Sequence, residues 1–134
     1  MHSQHILIVE DWESQLFLLK GFLIREGFLV GEAENGLQAI QCVSKTHFDT
    51  ILLDYKMPGM DGLAVLRAIR KIDPALDVVI ISAYGTIERA VEAMERGAYS
   101  YMTKPVDLDT LLTLLDQLSK RRVRRTQGRS PKAP

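Results

Sequence analysis

Five short apolar runs punctuate the chain, and between them apolar residues recur at helical spacing. The runs cover residues 5–9, 28–33, 49–53, 77–81 and 99–102. Each has strand length, and near-continuous Ile, Leu and Val mark strands that are buried on both faces. The segments between them read as helices. Leu16, Leu19 and Leu23 share one stripe of a helix over about 14–26, which Gly27 is placed to stop as a left-handed cap. Asn35-Gly36 turns the chain into a helix carrying Ile40 and Val43. After a loop over Met57-Pro58-Gly59-Met60, Asp61 is suited to cap a helix with Leu63, Leu66 and Ile69, and Asp73-Pro74 ends it. Ile87, Ala90, Val91 and Met94 keep an i, i+3, i+4, i+7 spacing before Gly97. Leu108, Leu111, Leu112, Leu115 and Leu118 line the last helix. Strands alternating with helices predict an α/β domain, a doubly wound five-stranded parallel sheet covered on both faces.

Four of the runs end in residues that can handle a metal ion or a phosphoryl group. The first runs into Glu10 and Asp11, the third into Asp54, the fourth into Ser82, and the fifth is followed closely by Lys104. Ligands of an open α/β sheet bind in the crevice beyond the carboxyl ends of its strands. The pattern therefore predicts that three carboxylates, one hydroxyl and one ammonium converge on one place. Taken singly, each residue has a plainer reading. Glu10 and Asp11 suit a helix-capping pair as well as a site for Mg²⁺, a hard cation that takes oxygen ligands. Asp54 alone reads as a loop carboxylate, Ser82 as a strand-end serine and Lys104 as a surface lysine.

Composition narrows the setting. With 134 residues the chain has room for one domain and too little for two. No apolar stretch approaches the roughly 18 residues of a membrane span. Met1-His2-Ser3-Gln4 lacks the form of a signal peptide, and a single cysteine, Cys42, excludes an internal disulfide; the expected location is the cytoplasm. His2, His5 and His47 lack metal-ligand spacing. The net charge of zero hides an asymmetry: seven Lys or Arg and no acids from Lys120 onward leave a net of −7 on residues 1–119. An acidic body fits cation binding, and the basic stretch 120–134 is expected to be a linker or disordered tail.

The chain resembles the receiver domain of two-component response regulators over about residues 4–119. The resemblance rests on Leu7-Ile8-Val9-Glu10-Asp11, on Leu53-Asp54-Tyr55-Lys56-Met57-Pro58-Gly59-Met60-Asp61-Gly62, on Ser82-Ala83 and on Lys104-Pro105. All four occur in order, each at the end of a predicted strand. The segments Ala83-Tyr84-Gly85-Thr86 and Gly97-Ala98-Tyr99 are similar to receivers of the nitrogen-regulator and sporulation-relay types. The family implies a flavodoxin-like (βα)5 fold with strand order 2-1-3-4-5.

The resemblance also implies roles. Asp54 matches the phosphoacceptor, receiving a phosphoryl group from a histidine kinase or a histidine phosphotransfer protein. Mg²⁺ would be held by Asp11, Glu10, Asp54 and the backbone carbonyl of Lys56. Many receivers carry Asp at the place of Glu10, whose longer side chain leaves direct or water-mediated coordination open. Lys104 matches the counter-charge, Ser82 the hydroxyl donor and Tyr101 the switch aromatic. Phosphorylation would then shift a surface of the fourth helix, fifth strand and fifth helix, where an output domain or target protein is read. The leucine-rich last helix permits a homodimer. Nucleic acid is expected only through an output domain outside this chain. Lys56 and Tyr84 flank the route of hydrolysing water, and both are large, which predicts a long-lived phosphoryl group. The double variant Lys56→Asn, Tyr84→Ala should lose it faster than the parent.

Two other classes compete. A Mg²⁺-dependent phosphatase of the haloacid-dehalogenase type also uses an aspartate nucleophile, but it wants a second acid two residues later, where this chain has Lys56. A receiver-fold interaction module without phosphorylation would not need the full set of five polar residues. The reading is therefore a signalling phosphoacceptor and not a turnover enzyme. The sequence leaves the kinase, the output and the oligomeric state open.

Overall fold

The computed structural model describes residues 4–57, 60–83 and 87–129. In chain order the elements begin β1 (His5–Val9), α1 (Glu13–Arg25), β2 (Leu29–Ala33), α2 (Gly36–Lys45) and β3 (Thr50–Asp54). They continue with β4 (Lys56–Met57), β5 (Met60–Asp61), α3 (Gly62–Ile72), β6 (Asp77–Ser82), α4 (Ile87–Glu95), β7 (Ser100–Thr103) and α5 (Leu108–Arg129). The chain divides into two compact units, Met1–Lys104 and Pro105–Pro134.

The first unit holds a five-stranded parallel sheet in the order β2-β1-β3-β6-β7. Counting only its own strands this is 2-1-3-4-5, so the fold is the flavodoxin-like one expected. Strands β3 and β6 are buried along their whole length, while the edge strands β2 and β7 are partly exposed. That difference explains why the third and fourth apolar runs are the most continuous: a central strand covered on both faces has no solvent side to keep polar. On one face Leu7, Val9, Ile51, Leu53, Val78 and Ile80 pack with Ala39 and Val43 of α2 and with Leu63, Leu66 and Ile69 of α3. Strand alternation sends Ile6, Ile8, Leu52, Val79 and Ile81 to the other face, and they are buried as well. Full burial of one such side chain is worth about 1.5–3 kcal/mol.

The helix signals in the sequence act as they should. The stripe Leu16, Leu19 and Leu23 is the buried side of α1. Gly27 and Gly97 take φ of 97° and 99°, a region closed to most residues. Beyond α1, Gly27 N–H donates to Ile24 O (3.0 Å) and Phe28 N–H to Leu23 O (3.0 Å), closing the end with a Schellman motif. Asn35 caps α2 by accepting from Gln38 N–H.

In the second unit Asp107 caps α5, accepting from Asp109 N–H at 3.1 Å and from Thr110 Oγ1 at 3.0 Å. Leu111, Leu115 and Leu118 are buried.

Two expectations need correction. Met57 and Met60, expected in a loop, lie in an antiparallel pair with Lys56 opposite Asp61 and Met57 opposite Met60, while Pro58 and Gly59 lie outside the described residues. Two residues per strand are too few for a period-2 signal; Asp61 ends β5 and directly precedes α3, the position expected for its cap. The basic stretch from Lys120 was read as linker or disordered tail, yet α5 continues to Arg129. Lys, Arg and Gln have good helix propensity, and Asp116 pairs with Lys120 one turn on (3.1 Å).

Candidate functional site

Sheet register builds the site. Val9 pairs with Leu53, so Glu10 and Asp54 emerge side by side at the carboxyl ends of adjacent strands. On the other side of β3, Asp54 pairs with Ile81, and Ser82 pairs with Thr103. Lys104 follows directly, its backbone N–H donating to Ser82 O at 2.9 Å. Four separate stretches thus deliver their polar ends to one edge of the sheet.

At that edge Lys104 Nζ donates to Glu10 Oε1 at 2.8 Å and to Asp54 Oδ2 at 3.2 Å. Glu10 and Asp54 are buried, at 3% and 7% exposure, while Asp11 is exposed. Burial of these carboxylates is tolerable because an ammonium lies between them; without it two like charges would share a poorly solvated place. Burial alone pushes the Lys104 pKa down. The hydrogen bond to Glu10, the charges of Asp54 and Glu10 and the hydrogen bond to Asp54 outweigh it, and the pKa stands above the ordinary 10.5. Lys104 therefore stays charged at neutral pH.

Carboxylate oxygens of Glu10, Asp11 and Asp54, one from each, lie within 4.8 Å of one another. Such an oxygen set fits a hard divalent cation. A cleft of about 230 Å³ opens over them, lined by Glu10, Asp11, Trp12, Gln15, Asp54, Ala83 and Lys104. Just past β3, Gly62 N–H donates to Tyr55 O at 2.6 Å. A Cβ on Gly62 would stand 2.7 Å from the Tyr55 Cα, so only glycine allows the hairpin β4–β5 to close this tightly behind Asp54.

The remaining sequence candidates are placed less centrally. Ser82 is fully buried at the end of β6, beside the cleft and outside its lining. Tyr101 on β7 is half-buried against the core, and its hydroxyl is enclosed without a hydrogen-bond partner among the described residues. Lys56 sits two residues beyond Asp54 in β4. Tyr84 lies outside the described residues. The sequence reading missed Trp12 and Gln15 as cleft walls. The signal available was a tryptophan directly after the acid pair, at a helix start that favours small polar caps.

A doubly wound sheet with an acidic, lysine-bridged crevice at its carboxyl edge defines a class of binding domains, and comparison with known proteins gives the family. The sequence profile of the response regulator receiver domain matches residues 6–116, and the chain belongs to that family. It is 40% identical over 111 residues to sporulation initiation phosphotransferase F of Bacillus subtilis, covering 83% of this chain and 90% of that protein. It is also 40% identical over 112 residues to the transcriptional regulatory protein ZraR of Escherichia coli, covering 84% of this chain but only 25% of ZraR. Among solved structures, the signal receiver domain of a putative Luxo repressor protein from Vibrio parahaemolyticus superposes with a TM-score of 0.87 at 31% identity. That match covers 94% of this chain and 97% of the other. The relatives thus include both subgroups that the sequence suggested. No helix among the described residues is long and apolar enough to cross a membrane.

Proposed function

We propose that this receiver domain takes a phosphoryl group onto Asp54 from a phosphorylated histidine of a kinase or phosphotransfer protein. The observation that carries the reading is the Lys104 ammonium held between Glu10 and Asp54 at the floor of an open cleft. In the transfer an Asp54 carboxylate oxygen forms the new P–O bond. The P–N bond breaks, and its electron pair stays on the imidazole nitrogen. Asp54 is a weak nucleophile, so positioning and neutralisation of charge supply most of the rate. Lys104 does the second, turning its fixed charge from the carboxylates to the phosphoryl oxygens as they arrive.

Glu10, Asp11 and Asp54, with the Lys56 carbonyl, are the residues that would hold Mg²⁺. When bound, the ion supplies further positive charge beside the phosphoryl oxygens. Ser82 donates its hydroxyl to the same oxygens. Added negative charge then shifts the population of a two-state surface on the α4 and β7 side, with Tyr101 changing its seat. The enclosed, unpartnered Tyr101 hydroxyl supports that role, because such a group is costly where it stands. Lys56 and Tyr84 slow the return of water, giving a long-lived phosphoryl group. The activity is stoichiometric signalling in the cytoplasm by a receiver over residues 4–119, not turnover of a substrate.

Acetyl phosphate with Mg²⁺ tests the reading. Intact-mass measurement should show one phosphoryl adduct, lost in hydroxylamine as an acyl phosphate is, and Asp54→Asn should show none. An unchanged adduct on Asp54→Asn would exclude Asp54 as the acceptor.

A further inference from the structure

Trp12 is the only tryptophan of the chain, and it stands where the local rules favour another residue. It occupies the N-cap of α1 with extended backbone (φ −88°, ψ 111°) and makes no side-chain capping bond. Serine, threonine, aspartate or asparagine there would satisfy a free helix N–H; an indole cannot. Nor does the ring add to the core, since Trp12 is 63% exposed. Positions that break a local rule without a structural gain are where function is expected. The backbone of Trp12 is fixed on both sides, its N–H donating to Glu10 Oε2 at 3.3 Å and its carbonyl accepting from Leu16 N–H at 2.9 Å. Trp12 thus stands, on a fixed backbone, in the wall of the cleft that also contains Asp54 and Lys104.

We infer that Trp12 binds the leaving group of the phosphodonor, stacking on a phosphorylated imidazole. The inference rests on Asp54 being the acceptor and adds a preference for one donor class. A donor seated with its phosphoryl group on Lys104 has its other end at the cleft mouth, where Trp12 lies. An N-phosphorylated imidazole with its second nitrogen protonated is a flat cationic ring. Indole is the best aromatic partner for such a cation, and the exposed Asp11 carboxylate beside it has the complementary charge. On transfer the P–N bond breaks, the P–O bond to Asp54 forms, and the ring leaves as neutral imidazole, keeping its proton on the second nitrogen. The positive charge on the ring is lost in that step. Trp12 thus holds the donor before transfer more than it lowers the barrier, and its removal acts on KM rather than on the saturated rate. An acyl phosphate brings no ring and gains nothing from the contact.

Free small donors separate this contact from any wider docking of a partner protein. Labelling rates with monophosphoimidazole and with acetyl phosphate, both with Mg²⁺, are measured against donor concentration for the parent, Trp12→Ala and Trp12→Phe. The expected result is a KM for monophosphoimidazole raised about fivefold in Trp12→Ala and largely restored in Trp12→Phe. The constants for acetyl phosphate should stay within about twofold. Equal changes with both donors, or none with either, would overturn the stacking and leave the acceptor reading intact. A parent protein labelled by neither donor would overturn both.

Discussion

The two ends of the parallel sheet employ charged residues in opposite ways. At the amino end, side chains satisfy backbone groups. Asp49 Oδ2 accepts from His5 N–H at 2.8 Å, and the Arg70 guanidinium donates to the carbonyls of Pro74, Leu76 and Gly97. Each bond fixes a loop just before a strand, and nothing about the arrangement calls for a ligand. At the carboxyl end, the Lys104 ammonium bridges the carboxylates of Glu10 and Asp54 at the floor of a cleft. Buried ion pairs contribute little net stability once desolvation is counted. The first arrangement fastens the fold. The second keeps charge poorly solvated and ready to be re-paired, which is the condition a phosphoryl group and a divalent cation need.

The contrast can be broken by variants at each end. The largest effect is expected for Lys104→Met. Leaving two buried carboxylates without their cation should cost about 3 kcal/mol or more, measured by urea unfolding. Mg²⁺ should restore part of that loss and stabilise this variant more than it stabilises the parent, because the acid cluster then has a substitute for the ammonium. Labelling of Asp54 should fall sharply. Arg70→Ala should come next, at about 2 kcal/mol for the loss of hydrogen bonds to three carbonyls. Mg²⁺ should not repair it, and labelling per folded molecule should match the parent. Equal responses of the two variants to Mg²⁺ would dissolve the distinction between the ends.

A smaller effect of opposite sign is expected at Tyr101. Its enclosed hydroxyl has no partner among the described residues, so Tyr101→Phe should stabilise the unphosphorylated protein by about 1 kcal/mol, read from the urea midpoint. The smallest effect is confined to alkaline solution. The Lys104 pKa is raised above its ordinary 10.5 by its acidic neighbours. The stability this contributes is fully present below pH 10.5 and is lost as pH rises through the folded value. As pH rises above about 10.5, the melting temperature of the parent should fall more steeply than that of Lys104→Met. Parallel slopes would mean that Lys104 is no better stabilised in the folded state than in the unfolded chain.

Much of this was legible in the sequence because the central strands are apolar along their length and polar at their ends. The change from Leu53 to Asp54 or from Ile81 to Ser82 marks both a strand end and a candidate ligand. Gly27 and Asn35 announced helix ends by backbone requirements that few residues meet. The hidden parts depend on register and on distant partners. Nothing near Lys104 in sequence shows that Glu10, 94 positions away, is its nearer partner. The pair β4–β5 is too short to leave a periodic trace. The extension of α5 past Lys120 carries no apolar stripe, so its helix rests on propensity that pattern reading does not weigh. Trp12 escaped notice because an exposed aromatic beside two acids has no periodicity to flag it.

The most direct test traps the phosphoryl group where it sits. Protein labelled by a small donor with Mg²⁺ is reduced with borohydride, which converts an aspartyl phosphate to homoserine, and its peptides are then sequenced by mass spectrometry. Homoserine at position 54, and its absence there from Lys104→Met, is the result expected of a carboxylate that works only beside that ammonium. Homoserine at another aspartate, or at position 54 in undiminished yield without Lys104, would contradict the account.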